Sequence, residues 1–400
     1  MAKGIERGDV VAVEGHHRRR TTPATRPDEP RSATPPPHFI GPLPPPVDGQ
    51  AVVTEFLLHA LQRRGIAPAV VDIGPGGRHG WRALVRRMTG FGEAVRRLAA
   101  DIPWRRRRLT YLSLNANRGM LVTAGMAALA QAAGHRIIIH HHTSAHLERR
   151  WWTMVAVCLA AGRDAVHVCI CEVMSARLRA LYGGRVHDVR LLSNIVTVSA
   201  AGAVAGRSAD DTIVLGHLSN LSFDKGLARA IETLRALRER NLAARLVLAG
   251  PCRSREIEAY VAASLGELAP HLEYRGPIYG DDKPAFFADI DVFVFPTSYA
   301  NETQGIVNLE ALAHGVPTVA YGRCCIAGDI GDEGGLAVPP EEAFAPRAAA
   351  WIAAELATPA QRRARRLAAR RRYDRLHDEA EGELNALLEL LTTPPAPVEG

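Results

Sequence analysis

Two glutamates and a glycine lie close together behind a short apolar run in the second half of the chain. The run Val292–Phe295 predicts a buried strand, and Glu302 falls in the loop after it. Gly305 opens a predicted helix that contains Glu310. Free backbone N–H groups at a helix start bind phosphate, and glycine lets the ligand come close. The two carboxylates can then accept hydrogen bonds from hydroxyls on either side of the phosphate, such as those of a sugar and a ribose. In a purely structural alternative, Glu302 caps the helix and Glu310 is a solvated helix residue.

Two other patterns resemble metal sites but fit them poorly. Three consecutive histidines, His140 to His142, end an apolar run. Neighbours on a strand alternate faces, so the three side chains do not converge on one ion. Asp289 and Asp291 have the spacing of a DxD metal motif, yet they lead directly into a buried strand. Ligands of parallel sheets bind at the carboxyl ends of strands, so these aspartates lie at the wrong end. We predict no metal site.

The segments that position these residues alternate between short apolar runs and longer amphipathic or alanine-rich stretches. The stretches Met120–Ala133 and Leu227–Arg240 are typical of the predicted helices. The apolar runs that predict buried strands are His38–Ile40, Ala69–Ile73, Leu109–Leu114, Arg136–His140, Ala165–Cys171, Thr212–Leu215, Ala244–Leu248, Leu272–Tyr274, Val292–Phe295 and Thr318–Ala320. This alternation is typical of a parallel sheet covered by helices on both faces. It restarts after Val198–Asp211, which is rich in Ala, Gly and Ser. The predicted fold class is therefore α/β, with two Rossmann-like domains facing a cleft.

The predicted domain boundaries follow the composition of the chain. The two ends are rich in proline and the first is rich in arginine, so neither buries enough apolar surface to offset the entropy of ordering. The expected divisions are a disordered arm (1–37), a first Rossmann-like domain (38–197), a linker (198–211), a second Rossmann-like domain (212–375), a last helix (376–391) and a disordered tail (392–400).

Composition narrows the class of protein. The 400 residues are 47% hydrophobic and carry a formal net charge of +7. A basic balance suits anionic partners, although arginine is abundant throughout and composition bias is its main source. The arginine-rich segments contain few aromatic residues and no nucleic-acid motif, so we expect no nucleic-acid partner.

Cysteine spacing and hydropathy predict the compartment. Six cysteines without a CxxC pair exclude a disulfide-stapled scaffold, make structural zinc improbable and favour a reducing compartment. Trp151–Gly162 is too short to span a bilayer, and no apolar leader opens the chain. These features predict a cytoplasmic protein.

The spacing of Glu302 and Glu310, with seven residues between them, resembles a family motif. It is the E-x7-E signature of retaining glycosyltransferases with the GT-B fold, in the large group called family four. The resemblance implies that Glu302 contacts the donor sugar and that Glu310 contacts the nucleotide ribose. It also implies that the backbone amides of Thr303, Gln304 and Gly305 hold the diphosphate. The family often has phenylalanine in place of Gln304.

A second segment, Gly216–Gly226, resembles the strand, loop and Lys-Gly pair that open the family's donor domain. The resemblance implies that Lys225 pairs with the donor diphosphate, where its charge would stabilise the leaving group. A solvated lysine is the structural alternative. The family usually has an arginine where this chain has His217. We assign His217 to donor binding at that place, and Arg253 to donor binding as a possible substitute for the arginine.

Three resemblances fall in the first half. Ile40–Gln50 is similar to the family's first strand and glycine-containing loop, with Gly49 and Gln50 opening a helix that faces the cleft. The resemblance assigns Gly49 and Gln50 to donor binding. His142 matches the family's histidine near the transferred sugar. Asn194 matches the family's asparagine near the interdomain crossover, where a structural turn is the favoured role.

The resemblance implies a retaining enzyme that transfers a hexosyl group from a nucleotide-diphosphate sugar, without a metal or other cofactor. It also implies that the first domain (38–197) binds the acceptor, that the second (212–375) binds the nucleotide-sugar donor, and that the last helix (376–391) packs back on the first domain. The expected acceptor is a glycan, a lipid-linked sugar or another hydroxyl, as in polysaccharide biosynthesis. The alternatives are an epimerase or phosphorylase on the same fold, and a catalytically silent sugar-nucleotide-binding scaffold. The basic run Arg362–Arg375 is either a solvated helix face or a contact with acidic membrane.

Overall fold

The computed structural model describes residues 36–46, 48–104, 108–200 and 211–392. The predicted arm and tail fall almost entirely outside these ranges, and so does most of the predicted linker. Two parallel six-stranded sheets, each with its own helices, form the described part of the chain. The predicted α/β class is confirmed.

The first sheet occupies the first half of the chain. Its strands lie in the order β2-β1-β3-β4-β5-β6, and all of their pairings are parallel. The strands are β1 (His38–Gly41), β2 (Ala69–Asp72), β3 (Leu109–Ser113), β4 (Arg136–His140), β5 (Val166–Cys169) and β6 (Asp188–Leu191), and the helices are α1 (Gly49–Arg63), α2 (Gly80–Asp101), α3 (Met120–Ala132), α4 (Trp152–Ala161) and α5 (Glu172–Tyr182).

The second sheet repeats the arrangement, in the order β12-β11-β10-β7-β8-β9. Its strands are β7 (Ile213–Leu218), β8 (Ala244–Ala249), β9 (Leu272–Tyr274), β10 (Val292–Phe295), β11 (Thr318–Tyr321) and β12 (Gly335–Val338). The helices are α6 (Leu227–Glu239), α7 (Arg255–Leu268), α8 (Lys283–Ala288), α9 (Ile306–Ala313), α10 (Ile326–Gly334), α11 (Phe344–Glu355) and α12 (Pro359–Thr392).

The interior strands match their predicted positions because they are continuous apolar runs. The two strands absent from the prediction, β6 and β12, lie at sheet edges. Strand β6 reads Asp-Val-Arg-Leu and is nowhere fully buried, so it lacks the apolar run that marks a central strand. Edge strands of this kind carry little hydrophobic signal.

Helix α12 is one continuous element of 34 residues that runs through the predicted boundary between residues 375 and 376. Its last third joins the apolar cluster around α1: Leu387, Leu388 and Leu391 belong to the same cluster as Leu57 and Leu61. One helix therefore packs on elements of both sheets.

The basic run of α12 is used mostly within the chain. Arg362 and Arg366 are buried, and Arg366 Nη1 donates to the Ile290 carbonyl at 2.8 Å. Arg365 pairs with Glu355 at 2.6 Å, and Arg372 donates to the Asp329 carbonyl at 3.0 Å. The run is therefore not a simple solvated face. Among the described helices, none is both long and apolar enough to cross a bilayer.

Candidate functional site

The candidate site lies at the carboxyl ends of two neighbouring strands of the second sheet, β7 and β10. Lys225 follows β7 and Glu302 follows β10, and the lysine Nζ donates to Glu302 Oε2. The ammonium also lies 4.6 Å from the centre of the Tyr299 ring. Burial of most of both side chains strengthens the ion pair relative to a surface pair. A cation is thus held where the sequence predicts one.

Glu310 forms a second ion pair. Lys283 Nζ donates to both of its carboxylate oxygens, at 2.8 and 2.9 Å. Lys283 starts α8, and Glu310 lies within α9. Sequence reasoning missed Lys283, because nothing near it in the chain distinguishes it from a solvated helix residue. Only packing brings it to Glu310.

The turn between the two glutamates requires a glycine at its end. Gly305 has a φ of +65°, and a Cβ at this position would lie 2.8 Å from Asn308 Nδ2. The backbone N–H groups of Thr303, Gln304 and Gly305 find no acceptor among the described residues. A helix start with free N–H groups and no side-chain cap is suited to bind an anion.

The side chains of Thr303 and Gln304 form hydrogen bonds with the first half of the chain. Thr303 Oγ1 donates to the His142 carbonyl at 3.2 Å. Gln304 Oε1 accepts from the Asn194 backbone N–H at 3.1 Å, and its Nε2 donates to Ser193 Oγ at 2.8 Å. A phenylalanine in place of Gln304 could make none of these hydrogen bonds. The glutamine that this chain has in place of the family's phenylalanine therefore links the two halves by hydrogen bonds.

Gln304 also touches a carboxyl group with an altered pKa. Its Nε2 donates to Asp329 Oδ1 at 3.3 Å. Burial raises the pKa of Asp329 to about 7, against the opposing effects of Gln304 and Arg372. Asp329 is consequently partly protonated near neutral pH. No sequence pattern pointed to it.

His142 brings the first sheet to the site. It is buried, its carbonyl accepts from Thr303, and its ring Nε2 has no partner among the described residues. Burial lowers the pKa of His142 to about 3, so the ring is neutral. A neutral imidazole beside the turn can donate to or accept from a hydroxyl of a ligand.

The other two histidines of the triplet, His140 and His141, are packed inside the first half. His140 Nδ1 lies 2.8 Å from the Tyr111 hydroxyl. His141 bridges His146 and His167 through its two ring nitrogens, at 2.9 Å each. These side chains are buried, and desolvation lowers their pKa values. They form a neutral hydrogen-bonded group inside the first half.

The structure corrects the assignment of His217 to donor binding. The ring is fully buried in β7, with Nδ1 donating to the Val294 carbonyl at 2.8 Å and Nε2 lying 3.0 Å from Ser219 Oγ. Burial lowers its pKa to about 4, so it carries no charge at neutral pH. A buried neutral ring with both nitrogens engaged cannot replace the family's arginine.

Arg253 remains available as a second cation. Its side chain is exposed, and its backbone N–H donates to the Leu221 carbonyl at 3.4 Å, next to the Lys225 loop. Arg323, which sequence reasoning missed, follows β11 and donates to the Ser298 carbonyl at 3.2 Å. Its place after the carboxyl end of a strand was the signal that could have identified it.

The start of α1 contacts the start of α9. A Cβ on Gly49 would lie 3.4 Å from Ile306 Cδ1, so the two helix starts meet closely. Gln50 turns away into the first sheet, where its Nε2 donates to Ser113 Oγ at 2.7 Å. This hydrogen bond holds the Gln50 side chain at the end of β3, and the donor-binding role predicted for it stays a prediction. Asn194 opens a 3-10 turn, in keeping with its expected role.

The DxD aspartates have partners other than a metal. Asp291 Oδ2 accepts from the Val214 backbone N–H at 2.9 Å, and Asp289 pairs with Arg275 at 2.8 Å. Two other groups in the described part of the chain bring metal-ligand atoms together. In one of them, His38 and His135 share Asp101 with the Arg108 guanidinium, which disfavours a cation there.

The second group of possible metal ligands, Cys171, Cys324 and Cys325, contains a disulfide bond that the sequence analysis did not predict. Cys171, just before α5, is bonded to Cys325, just before α10, with Cα atoms 5.8 Å apart. The bond joins residues 154 positions apart and links the two halves beside Thr303, whose carbonyl accepts from the Cys325 N–H. This pairing is at variance with the expectation of a reducing compartment. Cysteines that are distant in sequence give no spacing signal for a bond of this kind.

Solved structures share this architecture over nearly their whole length. Sucrose-phosphate synthase from Thermosynechococcus elongatus is 19% identical with a TM-score of 0.65, over 89% of this chain and 98% of that one. A glycosyltransferase from Rickettsia africae is 12% identical with a TM-score of 0.62, over 89% and 98%. HepE from Anabaena, solved with UDP, is 16% identical with a TM-score of 0.59, over 88% and 100%. The chain has the GT-B fold.

A family model agrees with the fold. Residues 212–354 match the model described as Glycosyl transferases group 1, which covers the second sheet and both ion pairs. No curated protein matches the sequence. The GT-B fold and this domain match together support a glycosyltransferase as the class of protein.

Proposed function

We propose that the chain is a retaining glycosyltransferase that moves a hexosyl group from a nucleotide-diphosphate sugar to a hydroxyl acceptor. The observation that carries the proposal is the pair of lysine–glutamate contacts on either side of the Gly305 turn. They combine two cations, two carboxylates and free N–H groups in one place. This is the set of groups that a sugar, a diphosphate and a ribose require.

Each side chain has a stated role in this proposal. The amides of Thr303, Gln304 and Gly305 bind the diphosphate. Lys225 leaves Glu302 to neutralise the departing diphosphate, and Glu302 then accepts hydrogen bonds from the sugar hydroxyls. Glu310, held in place by Lys283, accepts from the ribose. Arg253 supplies a second positive charge, and no metal is needed.

The first half contributes His142 and the acceptor surface. The neutral His142 ring lies beside the turn, and its buried Nε2 has no hydrogen-bond partner among the described residues. We infer that it contacts a hydroxyl of the transferred sugar. The acceptor is a glycan or a lipid-linked sugar of polysaccharide biosynthesis.

Thermal shift with UDP, GDP, ADP and their sugar conjugates tests the donor site, because ligand binding raises the unfolding temperature. UDP, with which HepE was solved, is the first nucleotide to try. We expect a shift with one nucleotide that a chelator does not change. Glu310→Ala should abolish the shift, whereas the control Glu355→Ala, which breaks the Arg365 ion pair in α11 and α12, should keep it.

Turnover assays distinguish a retaining glycosyltransferase from a silent scaffold, an epimerase and a phosphorylase. Release of nucleotide with formation of a glycoside of the donor's anomeric configuration supports a retaining transferase. Nucleotide binding without turnover on any acceptor identifies a catalytically silent scaffold. Conversion of the donor without an acceptor identifies an epimerase, and a requirement for inorganic phosphate identifies a phosphorylase. A shift that vanishes with chelator contradicts the metal-free site.

A further inference from the structure

Helix α2 of the first half has two apolar faces, and only one of them is covered. Gly90, Ala94 and Leu98 are buried, and the helix packs there against β2. A Cβ on Gly90 would collide with the Asp72 carbonyl, so the two elements are as close as backbone allows. This face is sufficient to hold the helix on the sheet.

The opposite face is apolar and open. Trp81, Leu84 and Met88 are 70%, 61% and 59% exposed, and Val85 and Val95 are exposed with them. Positions 81, 84, 85 and 88 have the i, i+3, i+4, i+7 spacing that places side chains in one stripe. Folding alone does not account for a second stripe of this kind, since exposing it costs free energy and the first face already secures the helix.

The exposed charged side chains around the apolar stripe are positive. Arg78, Arg82 and Arg87 are exposed beside it, and the Arg82 guanidinium lies 5.6 Å from the Trp81 ring centre. From residue 74 to residue 100 the sole acidic side chain is Glu93, which is bound by Arg96 and Arg97 at 2.7 and 2.6 Å. A partner that fits this surface is apolar and carries negative charge.

A second exposed tryptophan extends the surface at the same edge of the sheet. Trp152 begins α4 and is preceded by the exposed Arg149 and Arg150. Helices α2 and α4 follow the carboxyl ends of β2 and β4, and α3 packs between them. Both tryptophans therefore belong to the edge of the first sheet at which ligands of such folds bind.

We propose that the exposed face of α2, with Trp152, docks on an anionic lipid bilayer. Tryptophan and aliphatic side chains bury in the boundary between headgroups and acyl chains, while arginines keep their charge at the phosphates. A protein partner is the less suitable occupant, because arginines crowd the stripe and no exposed carboxylate accompanies them for specific pairing. The surface is separate from the donor site, so neither proposal depends on the other.

Vesicle co-sedimentation of the full chain tests the proposal. The probes are vesicles of phosphatidylcholine alone and of phosphatidylcholine with 30% phosphatidylglycerol, at low and high salt. We expect binding to the anionic vesicles, weakened by salt. Trp81→Gln with Leu84→Gln and Met88→Gln should lower the partition coefficient by more than about a hundredfold. Leu367→Gln on α12, at an equally apolar side chain that is 49% exposed, should change nothing.

A charge-matched pair of variants locates the contact. Arg82→Gln with Arg87→Gln should lower partitioning about thirtyfold at low salt, from about 1 kcal/mol per basic residue near an anionic surface. Arg363→Gln with Arg371→Gln, which removes two exposed arginines of α12, should leave binding intact. Circular dichroism and the midpoint of thermal unfolding confirm that each variant is folded.

Three results would overturn the proposal. Absence of binding to either vesicle removes the lipid partner. Loss of binding in the α12 variant but not in the α2 variant moves the contact to the basic run of α12. A chain that elutes as an oligomer, becomes monomeric in the Trp81, Leu84 and Met88 variant and ignores vesicles uses the stripe to bind a second copy of itself.

Discussion

The two halves of the molecule share one topology. They differ in how many of their candidate functional residues lie together in one local sequence motif. The second half carries its chemistry in one loop and one helix, with Glu302, Gly305 and Glu310 within nine residues. The first half contributes isolated groups that follow separate strands: His142 after β4 and Cys171 after β5. A ligand bound by backbone at a helix start imposes a local motif. An acceptor surface and an interdomain contact impose none.

The largest effect concerns the bond that joins the two halves. Cys171→Ser should lower the free energy of unfolding by about 5 kcal/mol, the chain-entropy estimate for a loop closed by residues 154 apart. Denaturant unfolding with and without a dithiol reductant measures it, and reduction should affect the variant little. The control Cys252→Ser leaves the bond in place and should unfold near the native midpoint. Equal stability of reduced and oxidised protein would show that the two halves do not rely on this link.

The next effect lies in the second half alone. Glu302→Gln keeps the shape of the side chain but removes the charge that binds Lys225, and we expect turnover to fall about 10²- to 10³-fold. Steady-state rates with the donor found by thermal shift measure the loss. Glu355→Gln, which alters a distant Arg365 ion pair, is the matched control. An unchanged rate would remove Glu302 from the reaction and leave it as a partner that positions Lys225.

A smaller effect is expected where Gln304 joins the halves. Burial raises the folded pKa of Asp329 from 3.8 to about 7, so the folded state favours its protonated form. Stability from this group is therefore complete below about pH 4 and is lost as the pH rises through about 7. Asp329→Asn should remove that pH dependence and raise the free energy of unfolding at pH 8 by on the order of 2 kcal/mol.

Chemical denaturation at pH 5 and pH 8 tests the role of Asp329. The difference between the two pH values should be smaller in the asparagine variant than in the native chain. Asp332→Asn, at an acidic residue three positions along, provides a control that should retain the native difference. Identical pH profiles of the native chain and Asp329→Asn would rule out a titrating carboxyl group at this contact.

The smallest expected effect is in the first half. Gln50→Ala removes the hydrogen bonds to Ser113 and the Leu114 carbonyl and should cost about 1 kcal/mol of stability without changing nucleotide affinity. Thermal shift with and without nucleotide separates the two quantities. A large loss of nucleotide binding would return Gln50 to the donor site, as the family resemblance implied.

Sequence reasoning was strongest where a ligand is bound by backbone. Gly305 must be glycine because its φ of +65° and its contact with Asn308 exclude a side chain, so its place in the motif is a local necessity. The interior strands were equally open to prediction, because burial on both faces demands continuous apolar runs. His217 shows the limit, since a polar residue in a strand can face ligand or core, and only the packing of β7 on β10 places it in the core.

By itself, the sequence determined the α/β class, the two parallel sheets and the turn that presents Glu302 and Glu310, because each rests on local periodicity or on the conformational needs of single residues. Tertiary structure alone decided which cations face those carboxylates, how Gln304 bridges the halves and which cysteines pair. It also left one face of α2 open. These features join residues that are far apart in the chain, and a pairing made by packing leaves no pattern along the sequence.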